Sequence, residues 1–208
     1  MAKNITIDVK DCDLTNGFYH FTSITNAESI LDNGLQPSIG PASRMVGDRE
    51  NVSVSQGGKG IMGIISSFIY ECKEMRISEI PEEFKRYFSD DIVDFTSDDV
   101  VGLDLACRAM VRKLKGEVYF NVELDDSMLE KAEIGGLTGY DIKLPMGVDK
   151  SKVRLVTDSG KVISAYGFVK SIYERAKDVD IFREMHEDFF YMFESEQSYE
   201  HETSGRQV

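Results

Sequence analysis

The chain has little cysteine and no long apolar segment, and each absence excludes a class of protein. Its 208 residues include three cysteines, Cys12, Cys72 and Cys107, which are widely spaced and lack the paired spacing of a metal site. This usage predicts unpaired thiols in a reducing compartment and no bound metal. No stretch approaches the roughly 18 apolar residues of a membrane span, and residues 1–9 lack the apolar block of a secretory signal. The sequence therefore predicts a cytoplasmic protein without a membrane partner.

Positive charge is outnumbered by negative charge. The chain has 24 Lys and Arg against 37 Asp and Glu, which gives a formal net charge of −13. A protein of this charge repels a phosphate backbone, so non-specific binding of nucleic acid is disfavoured and a basic protein partner is favoured. The excess of acids is marked over residues 174–208, which hold 10 acids and 4 bases.

The remaining composition is that of a globular protein. Apolar residues make up 41% of the chain and aromatic residues 10%, and the length suits one domain with a proper core. We predict a single domain over residues 1–194, followed by a polar, flexible acidic tail over 195–208.

A predicted strand near the N-terminus ends in a polar cluster. Side chains alternate along an extended chain, so His20 and Thr22 lie on the same face of a strand over 18–22, and Ser23 follows. A helix is predicted over 26–33. The cluster therefore lies beside a helix N-terminus, where backbone N–H groups and the helix dipole favour an anion.

The predicted helix has start and stop signals. Thr25 is placed as the N-cap with Glu28 three residues later, the spacing of a capping box. Gly34 follows the last turn, where a left-handed residue is expected.

Apolar periodicity and turn residues predict the other elements. Strands are predicted over 4–9, 51–55, 117–124, 140–144 and 153–157, and helices over 60–73, from 98 to 114 after a cap at Ser97, and through the C-terminal third. Residues 36–51 and 130–139 are predicted as loops.

The first of these loops carries two arginines in a glycine- and proline-containing segment. Arg44 and Arg49 are suited to gripping a phosphate beside the strand histidine. Solvated surface arginines are the alternative, and the sequence leaves both interpretations open.

A strand, a glycine-rich turn and a helix over 51–73 invite comparison with a phosphate-binding P-loop. The match fails because Gly60, not Ser or Thr, follows Lys59, so no hydroxyl is available for magnesium. The preferred interpretation is an inner strand that carries Ser53 and Ser55 on one face.

These segments resemble the ADP-ribosyltransferase-like superfamily. Tyr-His-Phe-Thr-Ser at 19–23, followed by Asn-Ala-Glu-Ser-Ile-Leu-Asp-Asn-Gly-Leu at 26–35, is similar to its first motif. The similarity is greatest to the branch with RNA 2′-phosphotransferases, DNA-modifying toxin transferases and many uncharacterised bacterial proteins. It implies an α+β fold in which mixed, largely antiparallel strands form two small sheets split around a cleft, flanked by helices.

The resemblance also implies site residues. His20, Thr22, Ser23, Arg44, Ser53 and Ser55 would bind NAD, with His20 donating to a ribose hydroxyl and Ser53 and Ser55 matching the second motif. The third motif is an acid, usually glutamate, on a late strand. This chain has Asp141 at the matching position, with Glu133 as a substitute and Glu123 as a weaker one.

The implied function is an NAD-dependent ADP-ribosyltransferase, an enzyme that acts on a protein acceptor. The alternative is a catalytically inactive interaction protein of phage or mobile-element type, with this fold and an acidic surface for a basic partner. A third alternative, an RNA 2′-phosphotransferase, needs several phosphate-binding arginines, and only Arg44, Arg49 and Arg154 are placed for that.

Overall fold

The protein has a mixed α+β fold built on an open sheet, as the sequence predicts at that level. A computed structural model describes residues 5–38, 50–135 and 141–204, with side chains described as far as residue 195. Within these ranges, no helix combines the length and apolar character that crossing a membrane requires. The predicted cytoplasmic location stays a prediction.

Eight strands form one hydrogen-bonded sheet in the order β1-β7-β4-β2-β3-β6-β5, with β8 paired to β7. The strands are β1 (Thr6–Asp8), β2 (Phe18–Ser23), β3 (Val52–Gln56), β4 (Glu117–Val122), β5 (Glu133–Gly135), β6 (Asp141–Leu144), β7 (Val153–Asp158) and β8 (Lys161–Val162). The β1–β7 pair is parallel and the other pairs are antiparallel. The expectation of two separate sheets is therefore wrong, because backbone pairing between β2 and β3 joins them.

Eight α-helices accompany the sheet in the described part of the chain. They are α1 (Ala27–Asn33), α2 (Gly57–Glu74), α3 (Glu82–Lys85), α4 (Leu103–Lys115), α5 (Asp126–Leu129), α6 (Ala165–Ala176), α7 (Asp180–Met185) and α8 (Glu187–Ser204). Helix α8 includes residues that the sequence assigns to a polar tail, and the domain boundary at 194 stays a prediction.

The chain folds into two compact units. The first unit holds the sheet, within residues 5–64 and Leu114–Ser171, and the second holds Ile65–Lys113 and residues 172–204. The three cysteines are buried and form no disulfide.

One face of the sheet carries the apolar core of the first unit. Val118, Phe120 and Val122 alternate along β4 and are at most 2% exposed. They belong to a cluster with Val54 of β3 and Ile30 of α1. Helix α1 is short, so this burial of its apolar side, rather than its intrinsic propensity, is what stabilises it.

The opposite face of the sheet is aromatic around β2 and β4. The ring centroids of Tyr19 and Phe168 are 5.2 Å apart, and those of Tyr119 and Phe168 are 5.1 Å apart. Phe168 belongs to α6, so this helix covers the sheet next to β2. Phe21 adds a further contact, with its ring 5.0 Å from that of Tyr119.

Two local predictions near the termini of elements are wrong. Thr25 does not cap α1, because a 3₁₀ turn over Ile24–Asn26 precedes the helix and the Ser23 hydroxyl accepts the Thr25 N–H instead. The N-cap of α1 is Asn26, whose side chain makes no capping hydrogen bond to the helix. The predicted loop over 130–139 contains β5, whose backbone pairing with β6 holds it extended.

Candidate functional site

Strands β2 and β3 are joined at one end and separate toward the other. All six residues of β2 pair with β4, and four residues of β3 pair with β6. Between β2 and β3, however, the described pairing is limited to Phe18 with Gln56 and Tyr19 with Ser55. We call the region beyond Tyr19 and Ser55, where the ladder stops, the β2–β3 opening.

His20 lies at the point where the opening begins. Its Nδ1 is 2.9 Å from the Ser53 carbonyl oxygen. A carbonyl can only accept a hydrogen bond, so Nδ1 carries the proton and donates. The His20 side chain thus replaces the backbone bond that the separating strands no longer make.

Burial determines the charge state of His20. Desolvation lowers the pKa of the ring below its ordinary value of 6.5, and the bond to Ser53 opposes this shift without cancelling it. The ring is therefore neutral at pH 7, with Nδ1 protonated and Nε2 an acceptor. The expected donation from His20 to a ribose hydroxyl is corrected accordingly, because Nε2 of this tautomer accepts a hydrogen bond from such a hydroxyl.

Thr22 and Ser23 are engaged in the local structure after β2. Asn26 donates from Nδ2 to the Thr22 hydroxyl at 3.2 Å, and the Ser23 and Thr25 hydroxyls are 2.9 Å apart. Both polar side chains are half-buried beside the 3₁₀ turn. They hold the chain as it leaves the strand, and their hydroxyls keep lone pairs for a ligand.

The two serines of β3 differ in their surroundings. Ser53 donates to Asn51 Oδ1 at 2.9 Å. Ser55 is 5% exposed and is aligned with Tyr19 on one side and Asp141 on the other. Register thus places Ser55 and Asp141 on one face of the sheet.

Asp141 and Glu133 lie on adjacent strands at the edge of the sheet. Asp141 is half-buried on β6, two residues from Lys143, and Glu133 is exposed on β5 opposite Lys143. With strands about 4.8 Å apart, Tyr19 and Asp141 are about 10 Å apart across β3. By strand alternation, the side chains of Asp141 and Ser55 share the face of Tyr19, whereas His20 belongs to the other face and reaches β3 through the opening.

The remaining candidates lie elsewhere or outside the described residues. Glu123 pairs with Arg154, with Oε2 and Nη2 3.6 Å apart, and both line a depression of about 600 Å³ next to β1. Arg44 and Arg49 belong to residues 39–49, which the structure does not describe. The part of the chain that it does describe contains no group of three or more His, Cys, Asp or Glu side chains suited to a metal ion.

The glycine-rich turn before α2 is explained by backbone packing. Gly57 has a φ of 61°, and a Cβ there would lie 2.5 Å from the Thr15 carbonyl oxygen. The N–H groups of Gly57 and Gly58 donate to the Gly17 and Leu14 carbonyls at 2.7 and 2.5 Å. These donors are therefore occupied, which supports the exclusion of a P-loop.

Comparison with known proteins found no counterpart. No protein-family model, no curated protein and no solved structure matches the chain. The site must therefore be judged on its own geometry. That geometry includes one group that the sequence did not indicate, the Ser53 carbonyl, because a backbone acceptor has no residue signature.

Proposed function

We propose that the protein is an NAD-dependent ADP-ribosyltransferase that binds NAD at the β2–β3 opening. The observation that carries this proposal is the hydrogen bond from His20 Nδ1 to the Ser53 carbonyl. It stabilises an interruption between two strands that are each paired along their other edge, and it fixes the tautomer whose Nε2 accepts a hydroxyl proton. An oriented acceptor at the end of a strand ladder is the kind of preorganised feature that a binding site requires.

The surrounding groups have complementary roles in this proposal. His20 Nε2 accepts from a ribose hydroxyl, and the Thr22 and Ser23 hydroxyls contact the nicotinamide amide or a phosphate. Ser55 supports the strand face on which Asp141 lies, which is opposite to the face of His20. The ribose must therefore lie in the β2–β3 opening, where the interrupted ladder lets groups from both faces reach it. We propose that Arg44 binds the pyrophosphate of NAD, and only the family resemblance supports this role.

Asp141 is the proposed catalytic acid, with Glu133 as its substitute. In the transfer, the bond between ribose C1′ and the nicotinamide nitrogen breaks and its electron pair leaves with nicotinamide. A nucleophilic oxygen or nitrogen of the acceptor bonds to C1′ and loses its proton. Positive charge develops on the ribose ring, and a carboxylate beside it stabilises that charge. Aspartate is one methylene shorter than the glutamate of the resembled family, which reduces its reach.

The proposed acceptor is a protein. The formal net charge of −13 favours a basic surface and disfavours a nucleic-acid backbone. The second candidate is an inactive member of the same fold that acts by binding. The observation that favours it is the aspartate at the position where resembled enzymes carry glutamate.

Nicotinamide release from NAD by purified protein tests the enzyme directly. We expect Asp141→Asn to abolish release and Asp141→Glu to preserve or increase it. The matched control is Asp32→Asn, which removes an exposed carboxylate on α1, and thermal melts check that every variant is folded. Release that is absent in the wild type despite NAD binding would favour the inactive alternative. Release that Asp141→Asn leaves unchanged, and that Glu133→Gln abolishes, would transfer the acid role to Glu133.

A further inference from the structure

Helix α7, in the second unit, has an exposed apolar side. Ile181 and Met185 lie four residues apart, and therefore on one side of the helix, and are 60% and 54% exposed. We call these two residues the α7 patch. Large apolar side chains that are adjacent and exposed, with a polar border, are typical of a contact surface for another molecule.

A depression of about 490 Å³ lies between α7 and α8. It has an aromatic part and an acidic border, and its lining consists of Arg183, Glu184, Glu187, Phe190, Tyr191 and Glu194. Glu184 lies three residues after Ile181, a spacing that places both residues on one side of the helix, so the acidic border of the depression and the patch share a side of α7. We call the two together the α7–α8 surface.

Arg183 shows which chemistry this surface accommodates. Its guanidinium carbon is 5.3 Å from the centroid of the Phe190 ring, and Nη2 is 2.7 Å from Glu194 Oε1. One guanidinium is therefore already held between an aromatic face and a carboxylate. Glu184 and Glu187 form no ion pair within the described residues and remain to receive further cations.

The negative charge of the α7–α8 surface favours some binding partners over others. Residues 178–194 contain six carboxylates and one arginine. A second copy of the chain would bring the same negative charge to the contact, which is unfavourable. A segment with apolar side chains on one side and Lys or Arg on the other complements both parts of the surface.

We propose that the α7–α8 surface docks a basic amphipathic segment of a protein partner. Apolar side chains of the segment cover Ile181 and Met185, and its cations pair with Glu184 and Glu187, in the way that Arg183 pairs with Glu194. The mode is that of an amphipathic helix laid against an apolar surface, with charge setting orientation. This inference goes beyond the proposed transferase activity and uses no residue of the β2–β3 opening, so either can fail without the other.

The test uses a fluorescein-labelled synthetic peptide of leucine and lysine with helical periodicity. A peptide of the same composition in scrambled order is its control, and the binding of both to the full chain is followed by fluorescence anisotropy. We expect the periodic peptide to bind at least about tenfold more tightly than the scrambled one. The double variant Ile181→Ser/Met185→Ser should lose that advantage, whereas Val93→Ser, at a fully exposed valine of the same unit, should keep it.

The acidic border has its own matched variants. Glu184→Gln/Glu187→Gln should weaken binding of the periodic peptide and flatten its dependence on salt, because fewer ion pairs form. Glu83→Gln/Glu130→Gln removes the same charge from exposed positions elsewhere and should do neither. Equal binding of the two peptides would overturn the proposal, and so would equal losses in the two double glutamine variants. A dimer in analytical ultracentrifugation that Ile181→Ser/Met185→Ser dissociates would also overturn it, because the occupant would then be a second copy.

Discussion

The two ring nitrogens of His20 have separate roles, one structural and one proposed for binding. Nδ1 donates to the Ser53 carbonyl and supports the sheet at the β2–β3 opening. Nε2, as the acceptor of the neutral ring, is the group proposed to bind ribose. Because the two nitrogens differ in position along the side chain, substitutions can remove one task and keep the other.

The structural task predicts different stabilities for two His20 variants. His20→Ala leaves the Ser53 carbonyl without its donor, which should lower the free energy of unfolding by about 1 to 3 kcal/mol. In His20→Asn, the side-chain amide nitrogen occupies a position close to that of Nδ1 and can donate to the same carbonyl. We expect Asn to recover most of the loss in urea denaturation. Equal destabilisation by both substitutions would show that the hydrogen bond contributes little.

The lowered pKa of His20 predicts a pH dependence with a definite sign. The unfolded chain binds a proton near pH 6.5, and burial lowers the pKa of the folded ring below that value. Between the two values the unfolded state binds more protons, so the free energy of unfolding rises with pH there and is constant above it. Carboxylates titrate in both wild type and His20→Asn, so the difference in the free energy of unfolding between the two proteins isolates the contribution of His20. If this difference in the free energy of unfolding grew as the pH fell from 8 to 6.5, the lowered pKa of His20 would be contradicted.

The strand positions of the candidate site residues could be predicted, whereas the hydrogen bonds between them could not, for a physical reason. His20, Ser55 and Asp141 stand at strand positions that the alternating pattern identifies. The tautomer of His20 could not be predicted, because it depends on a carbonyl 33 positions away in the chain. The predicted Thr25 cap failed because Ser23 competes for the same role one turn earlier.

At the scale of elements, the turn after α1 depends on close backbone approach. Gly34 has a φ of 76°, its N–H donates to the Ile30 carbonyl at 2.8 Å, and Leu35 and Val148 exchange two backbone hydrogen bonds. A Cβ at position 34 would overlap the Val148 carbonyl oxygen. The chain can therefore leave α1 and join the β6–β7 connection only with glycine at this position.

Two glycine variants test the close approach of the backbone at position 34. Gly160 has a φ of 77°, almost the same as Gly34, but a Cβ at position 160 would have nothing within 4 Å. Gly160→Ala should cost about 1 to 2 kcal/mol from the left-handed conformation alone. Gly34→Ala should cost about 1 to 3 kcal/mol more, because Gly34 has a ψ of −174°, outside the left-handed helical region, and because the crowding adds to that strain. Equal losses in the free energy of unfolding, measured by urea denaturation, would contradict the close approach of position 34 to the Val148 carbonyl.

The elements themselves were predictable, and their arrangement was less so. The strand patterns over 51–55 and 153–157 agree with β3 and β7, because alternation is a local property. The order of strands depends on pairing between distant segments, and β5 was missed because it is three residues long and carries an exposed Ile134. Helix α4 begins at Leu103 rather than Asp98, since the Arg76–Val100 bridge holds the preceding residues extended.

At the scale of the whole molecule, the net charge predicts that nucleic acid is a disfavoured partner. With a formal charge of −13, we expect weaker binding to duplex DNA or single-stranded RNA than the roughly 10⁻⁴ to 10⁻⁶ M of non-specific nucleic-acid binders. Gel-shift titration at physiological salt measures this. Tight binding that persists at high salt would contradict the preference for a protein acceptor and would favour the RNA 2′-phosphotransferase alternative.

The most direct test of the proposed site is NAD titration by calorimetry on wild type and His20→Asn. Asparagine keeps a donor for the Ser53 carbonyl but has no acceptor at the position of Nε2, so the variant should be folded and should bind NAD at least about tenfold more weakly. Wild-type binding with such a loss would support NAD recognition by His20 at the β2–β3 opening. Equal affinity in both proteins, or no binding by the folded wild type, would contradict it.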